Sequence, residues 1–269
     1  MVAACSLVPF VLASAACVDT SEARSPWQRW TTLQLKVKSS PLFRGRVQLR
    51  WSEGASGRRL DTTTTASFLG ATVARTKTRS LFDPVTGKTT EYRSFSSKKG
   101  RIYRFGEQGY TVEKLRRNPD GDDADPWEVY STEEFSYPES DAGGDPVRLL
   151  DYYGMLLHVG DLGLDAPGDE TTLHVATSKG PQAYRIRVHE SRTGERTFLN
   201  LATGEKTTLP ARELRLTIDP ADPATEAGFL KMKGPVEVWV EARTKTPLEI
   251  AGDAPKIPGR VRLVLSAMG

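Results

Sequence analysis

Apolar and polar side chains alternate along most of this chain, and that period of two constrains its fold more than any other feature. Val47, Leu49 and Trp51 alternate with Arg46, Gln48 and Arg50. Tyr184, Ile186 and Val188 alternate with Arg185, Arg187 and His189, and Leu214, Leu216 and Ile218 with Arg215 and Thr217. Val236, Val238 and Val240, then Val261, Leu263 and Leu265, repeat the pattern near the end. Successive side chains of a strand point to opposite faces, so each run predicts a strand with one buried face. Between the runs stand Thr86-Gly87-Lys88, Thr193-Gly194-Glu195, Thr203-Gly204-Glu205 and the segment from Gly106 to Gly109. Glycine supplies the positive φ of tight hairpins, so each of these predicts a turn. No fixed repeat period of a propeller or solenoid occurs. The expected fold is mainly β: an antiparallel meander forming an open or partly closed β-barrel.

Cysteine cannot hold such a sheet together. Cys5 and Cys17 both lie in the first 17 residues, so the fold must rest on a hydrophobic core. Those residues carry no charge and end in small side chains, the pattern of a secretory signal too short to span a bilayer. Two cleavages compete there. Ala13-Ser14-Ala15 and Ser14-Ala15-Ala16 suit an ordinary signal peptidase, whereas Ser14-Ala15-Ala16-Cys17 resembles a lipobox whose cysteine becomes acylated. Against the lipobox, Ser14 stands where Leu is usual and no Lys or Arg precedes Cys17. In its favour, lipidation disposes of a thiol otherwise left alone in an oxidising compartment. The expected plan is a signal peptide over 1–16, a tether over 17–29 with lipidation at Cys17, and a single β-rich domain over 30–269, exported to the periplasm or anchored in the bacterial envelope.

Composition narrows the partners. With 37 basic and 34 acidic residues the formal net charge is +3, and no basic run interleaved with aromatics marks a nucleic-acid surface. No Gly-x-Ser-x-Gly elbow or phosphate-binding glycine loop occurs. His158, His174 and His189 follow no zinc spacing, so neither a catalytic set nor a cofactor is expected. Asp120, Asp122, Asp123 and Asp125 offer hard oxygen ligands beside Gly121 and form a weak candidate metal site. The position that would hold the bidentate Glu of a calcium loop is Ser131, which favours a solvated hairpin tip instead.

One helix interrupts the strands. Asp145 as N-cap and Pro146 at the first helical position predict a short helix near 146–158, with Leu149, Tyr152, Tyr153 and Leu156 at helical spacing. Its apolar side has two readings. It plugs an end of the barrel, or Tyr152, Tyr153, Met155 and Leu156 line a site for a lipid or acyl chain, Met adapting its shape and Tyr offering an apolar face with a polar tip.

Three stretches carry a family resemblance. The first is Thr90-Glu91-Tyr92-Arg93-Ser94-Phe95 with Arg101-Ile102-Tyr103-Arg104-Phe105 and Tyr110-Thr111-Val112-Glu113. The second is Leu150-Asp151-Tyr152-Tyr153. The third joins Val236-Glu237-Val238-Trp239-Val240, Thr246-Pro247-Leu248-Glu249-Ile250 and Gly259-Arg260-Val261-Arg262-Leu263. Together they resemble the bacterial envelope family catalogued as domain-of-unknown-function 3108. The chain departs from that family's pattern at Glu241-Ala242-Arg243-Thr244 and at His158. The resemblance implies an exported β-rich protein, an incomplete barrel similar to lipoprotein carriers, and no catalytic group. The expected function is to bind a hydrophobic ligand in a curved sheet; the alternative is a non-catalytic scaffold of an envelope assembly.

Overall fold

Alternation becomes hairpins, and the hairpins join into one sheet. The computed structural model describes residues 30–38, 43–54, 57–69, 71–117, 127–138, 149–159, 162–222, 228–254 and 259–269. A first run of strands comprises β1 (Thr32–Val37), β2 (Phe43–Gly54), β3 (Gly57–Phe68), β4 (Ala71–Phe82), β5 (Thr89–Ser96), β6 (Lys99–Phe105), β7 (Gly109–Arg117) and β8 (Trp127–Ser136). After β9 (Leu149–Leu150) and the helix α1 (Tyr152–His158), a second run follows. It holds β10 (Glu170–Thr177), β11 (Gly180–Asn200), β12 (Lys206–Pro220), β13 (Lys233–Glu241), β14 (Pro247–Asp253) and β15 (Arg260–Met268).

The two runs meet where the chain's ends meet. β1 pairs antiparallel with β15, Leu33 opposite Met268 and Leu35 opposite Leu265, so one 15-stranded sheet runs from β8 through β1 and β15 to β9. Two features curl it. The far end of β11 also pairs in parallel with β15, Leu199 opposite Ala267, which closes β11–β15 into a ring of hydrogen-bonded strands. At the other extreme, β7 and β8 swing round to the β10–β11 turn. There the Tyr110 hydroxyl donates to the Thr177 carbonyl at 2.9 Å, and the Phe135 ring lies beside Gly180. The sheet is therefore a partly closed barrel, with β8 and β9 as its edges.

The core sits inside this curl. Leu33, Leu35, Leu49, Leu60, Tyr184, Ile186, Leu214, Leu216, Val236, Val238 and Ile250 are all fully buried in one cluster with Met155 and Leu156 of the helix. A satellite of Tyr92, Tyr103, Tyr110, Val112, Leu149 and Ala176 lines the seam between the two runs. At about 25 cal/mol for each Å² of apolar surface removed from water, burial of this kind holds the sheet without a covalent staple.

Two sequence expectations change. The helix starts later than its spacing suggested. Leu149 and Leu150 are extended and pair in parallel with His174 and Val175, which occupies their backbone groups. Asp145 and Pro146 lie outside the described residues. The cap is Asp151, whose Oδ1 accepts from the backbone N–H groups of Tyr153 at 2.9 Å and Gly154 at 3.0 Å. The second change concerns Thr193-Gly194-Glu195, which is no turn. It runs through the middle of β11 opposite Arg212, Ala211 and Pro210. Arg192 and Arg196, either side of Gly194, both bind Glu213 of β12, so cross-strand charge pairing carries the strand through the glycine. Turns do form at Gly87 (φ 65) and Gly204 (φ 74), where positive φ makes glycine the favoured residue.

Candidate functional site

The helix lies inside the barrel, and its two faces meet different surroundings. Met155 and Leu156 are 0% and 2% exposed and pack into the main core. Tyr152 is half-buried, its ring edge-on to Tyr184 at 6.3 Å and tilted against Phe229 at 5.9 Å. Tyr153 points to the opposite wall, where its hydroxyl and the Thr64 hydroxyl of β3 are 3.2 Å apart. So the four residues picked out from the sequence do not converge. Two of them are fully buried in the core, and the other two are half-buried against different parts of it.

Asp151 fixes this placement. It is fully buried, and burial raises its carboxyl above the usual aspartate range, opposed by the Gly154 N–H and the Ser80 hydroxyl. Its Oδ2 has no partner of good hydrogen-bond geometry. Gly154 is required beside it, because a Cβ there would meet Asp151 Oδ2 at 2.8 Å. Burial likewise raises the Tyr153 hydroxyl and pushes Tyr103 up to about 12.

At the C-terminal end of α1 an aromatic cleft opens. Trp30, Trp51 of β2, Arg58 of β3, Phe82 of β4, and Leu157 and His158 of the helix surround about 260 Å³. Trp51 and Phe82 rings stand 5.6 Å apart, and His158 meets Phe82 edge-on at 6.2 Å. Strand alternation explains the convergence. Trp51 and Leu60 face each other on the inner side, and Phe82 ends the same inward row of β4 as Ser80. Sequence reading found the helix yet missed this cleft. Leu157 and His158 directly follow the residues it chose, while Trp51 and Phe82 carry no mark that distinguishes them from ordinary core positions.

Toward the other end, the inward face of the first run turns polar. Register places Thr62, Thr78, Ser94, Arg101 and Lys114 in one cross-strand row of β3–β7, next to Leu49 of β2. Lys114 forms an ion pair with Glu133 of β8. This arrangement was not read from the sequence, because Thr, Ser and Arg at strand positions look like solvent-facing residues.

The remaining sequence candidates fall elsewhere. Cys17 and Asp120, Asp122, Asp123 and Asp125 lie outside the described residues. His189 is exposed on β11 and bonds the Thr217 hydroxyl at 2.7 Å. No group of three His, Cys, Asp or Glu side chains able to hold a metal ion occurs among the described residues. Among them, too, no helix is long and apolar enough to cross a membrane.

Comparison with known proteins yields a fold. No family model matches the chain, and no curated protein matches it by sequence. The resemblance to family 3108 therefore rests on the quoted motifs alone. A solved structure from Brucella abortus, described as a β-barrel-like protein of domain of unknown function DUF1849, superimposes with a TM-score of 0.52 at 11% identity. The match covers 88% of this chain and 95% of that one. The likeness agrees with the partly closed barrel read from the strand order, and at that identity it concerns the fold alone.

Proposed function

We propose that this chain is an exported envelope protein, tethered through an acylated Cys17, that binds the apolar end of a lipid at the mouth of its barrel without making or breaking a bond. The observation that carries this reading is the aromatic cleft, where Trp30, Trp51, Phe82 and Leu157 come together from four separate segments. Each methylene buried there is worth about 0.8 kcal/mol, so a short stretch of acyl chain supplies useful affinity. At about 260 Å³ the cleft is smaller than the roughly 300–1,000 Å³ of sites that enclose a whole small molecule. It therefore suits a chain end. The interior beneath Met155 and Leu156 is filled, so the ligand sits against the helix end and not under the helix.

A second reading, a scaffold within an envelope assembly, is favoured by β8. It ends the sheet, and Val129 and Tyr130 on it are 47% and 52% exposed. An edge strand with apolar side chains can add to a partner's sheet.

Two measurements test the first reading. The intact mass of the mature protein from its native membrane fraction should show an N-terminus at Cys17 carrying acyl mass; an unmodified soluble chain beginning near Ala16 would end the tether proposal. For the cleft, the methyl ester of dibromostearic acid is the probe, since bromine quenches tryptophan at contact. Saturable quenching is expected, weakened about tenfold or more by Leu157→Ser. Quenching that is linear in probe, or indifferent to Leu157→Ser, would move the assignment to the scaffold.

A further inference from the structure

The row of polar residues inside the first run contains a charge with no ion-pair partner among the described residues. In the row from Leu49 of β2 through Thr62, Thr78 and Ser94 to Arg101 and Lys114, the only charged side chains are the last two. Lys114 and Glu133 satisfy each other. Arg101 has no carboxylate within ion-pair distance among the described residues, and its Nε is buried without a hydrogen-bond partner. Arg59 and Arg215 share the unbonded Nε, but each has a carboxylate oxygen close by, at 2.8 Å from Asp61 and 3.2 Å from Glu190.

Arg101 also faces inward. Its position in the register, opposite Ser94 on one side and Lys114 on the other, puts it in the same cross-strand row as Leu49 and Thr62, and so on the inward face of the wall. Beside it in the row stand Ser94 and Thr78, then Thr62. The Thr78 and Thr62 hydroxyls are buried, at 7% and 2% residue exposure, and neither has a hydrogen-bond partner. Neighbouring strands are about 4.8 Å apart, so Ser94 is one strand from Arg101 and Thr78 two, within reach of a long side chain on a concave wall. The remaining buried carboxylate near the helix, Asp151, is engaged in capping it.

A cation and unpaired hydroxyls inside a curved wall are costly when nothing binds them. An oxyanion removes both costs at once, because guanidinium presents a planar fork to two oxygens and hydroxyls donate to the rest. We infer that Arg101, with Ser94 and Thr78, forms an internal site for an oxyanion, the carboxylate or phosphate of a ligand that enters the open side of the barrel. This site is separate from the aromatic cleft and stands or falls independently of it. Arg101 and Ser94 are half-buried, which gives such a group access from solvent.

The test uses acetate and inorganic phosphate as probes at constant ionic strength, with chloride as control, read by calorimetric titration and by the thermal midpoint of the full chain. Phosphate or acetate should raise the midpoint of the wild type beyond chloride, and whichever binds identifies the head group. Arg101→Gln should weaken that binding at least tenfold, with Arg101→Lys retaining part of it. Without a probe, Arg101→Gln should melt no lower than wild type, because an unpaired interior charge has been removed. A variant that melts lower while binding is unchanged would make Arg101 a structural residue and overturn the site. So would stabilisation equal to that of chloride, an effect equal in Arg101→Gln, or no binding of either probe, which would leave the hydroxyls to water alone.

Discussion

The two runs of strands build their inner faces from the same alternation and reach opposite results. On β11–β13 the inward positions are Tyr184, Ile186, Val188, Leu214, Leu216, Ile218, Val236, Val238 and Val240, all fully or nearly fully buried. On β3–β6 the inward positions begin apolar with Leu60, Tyr92 and Tyr103, then continue through Thr62, Thr78, Ser94 and Arg101. The second run is closed on itself by the β11–β15 pairing and filled by the helix. The first ends at a free edge, and the helix meets it through Tyr153 at Thr64 and through His158 at Phe82. Alternation thus makes a strand in either case, while the identity of the inward residues decides whether the space beyond it is dry or polar.

The sharpest way to break that contrast is to attack the dry side. Leu156→Ala should cost about 2–5 kcal/mol, the range for a buried leucine whose surroundings cannot collapse, measured by urea or guanidinium unfolding. A loss under about 1 kcal/mol would mean that the helix is loosely seated and the second run less full than its burial indicates.

The boundary between the two regions is sharpened by Asp151. Burial raises its carboxyl in the folded state above the ordinary value of 3.8. A raised pKa means the folded protein holds the proton more tightly than the unfolded chain does. Its contribution to stability is fully present below 3.8 and is lost as pH rises through the raised value. Asp151→Asn keeps a capping oxygen and cannot ionise. Wild type should therefore gain stability relative to this variant as pH falls from 7 toward 3.8. Thermal midpoints of the two proteins compared across that window would check it; a difference constant with pH would show that Asp151 titrates as an exposed aspartate does.

The smallest expected effect is on the polar side. Thr62→Val replaces an unpaired buried hydroxyl with a methyl of the same shape, so stability should change by less than about 1 kcal/mol or rise. A loss of about 2 kcal/mol or more in the same unfolding assay would reveal a bond at that hydroxyl and erase the contrast between the regions.

Much of the fold was legible because strand period and turn chemistry are local. The alternations at Val47–Trp51, Tyr184–Val188 and Leu214–Ile218 all appear as strands with the expected residues inward. Locality also explains the errors. Gly194 has the composition of a turn, but Glu213 binding Arg192 and Arg196 across the hairpin extends the strand through it. Leu149 has helical spacing to Tyr152 and Tyr153, yet the β10 edge offers it backbone partners that only a folded sheet provides. The site was less legible. Tyr152 and Tyr153, picked out by their helical spacing, do not line the cleft, and Trp30, Trp51 and Phe82 become one only where β2, β4 and the helix end converge.

By itself, then, the sequence determined an antiparallel sheet with a buried face, an embedded helix, and a core that holds without disulfides. Those properties depend on which residues stand two or four apart. Tertiary structure alone decided that the last strand pairs with the first, that β11 returns to β15, and that Arg101 stands in one inward row with Ser94 and Thr78. Each of these joins residues distant in sequence, and their meeting is set by how the whole sheet curls, which no local spacing records.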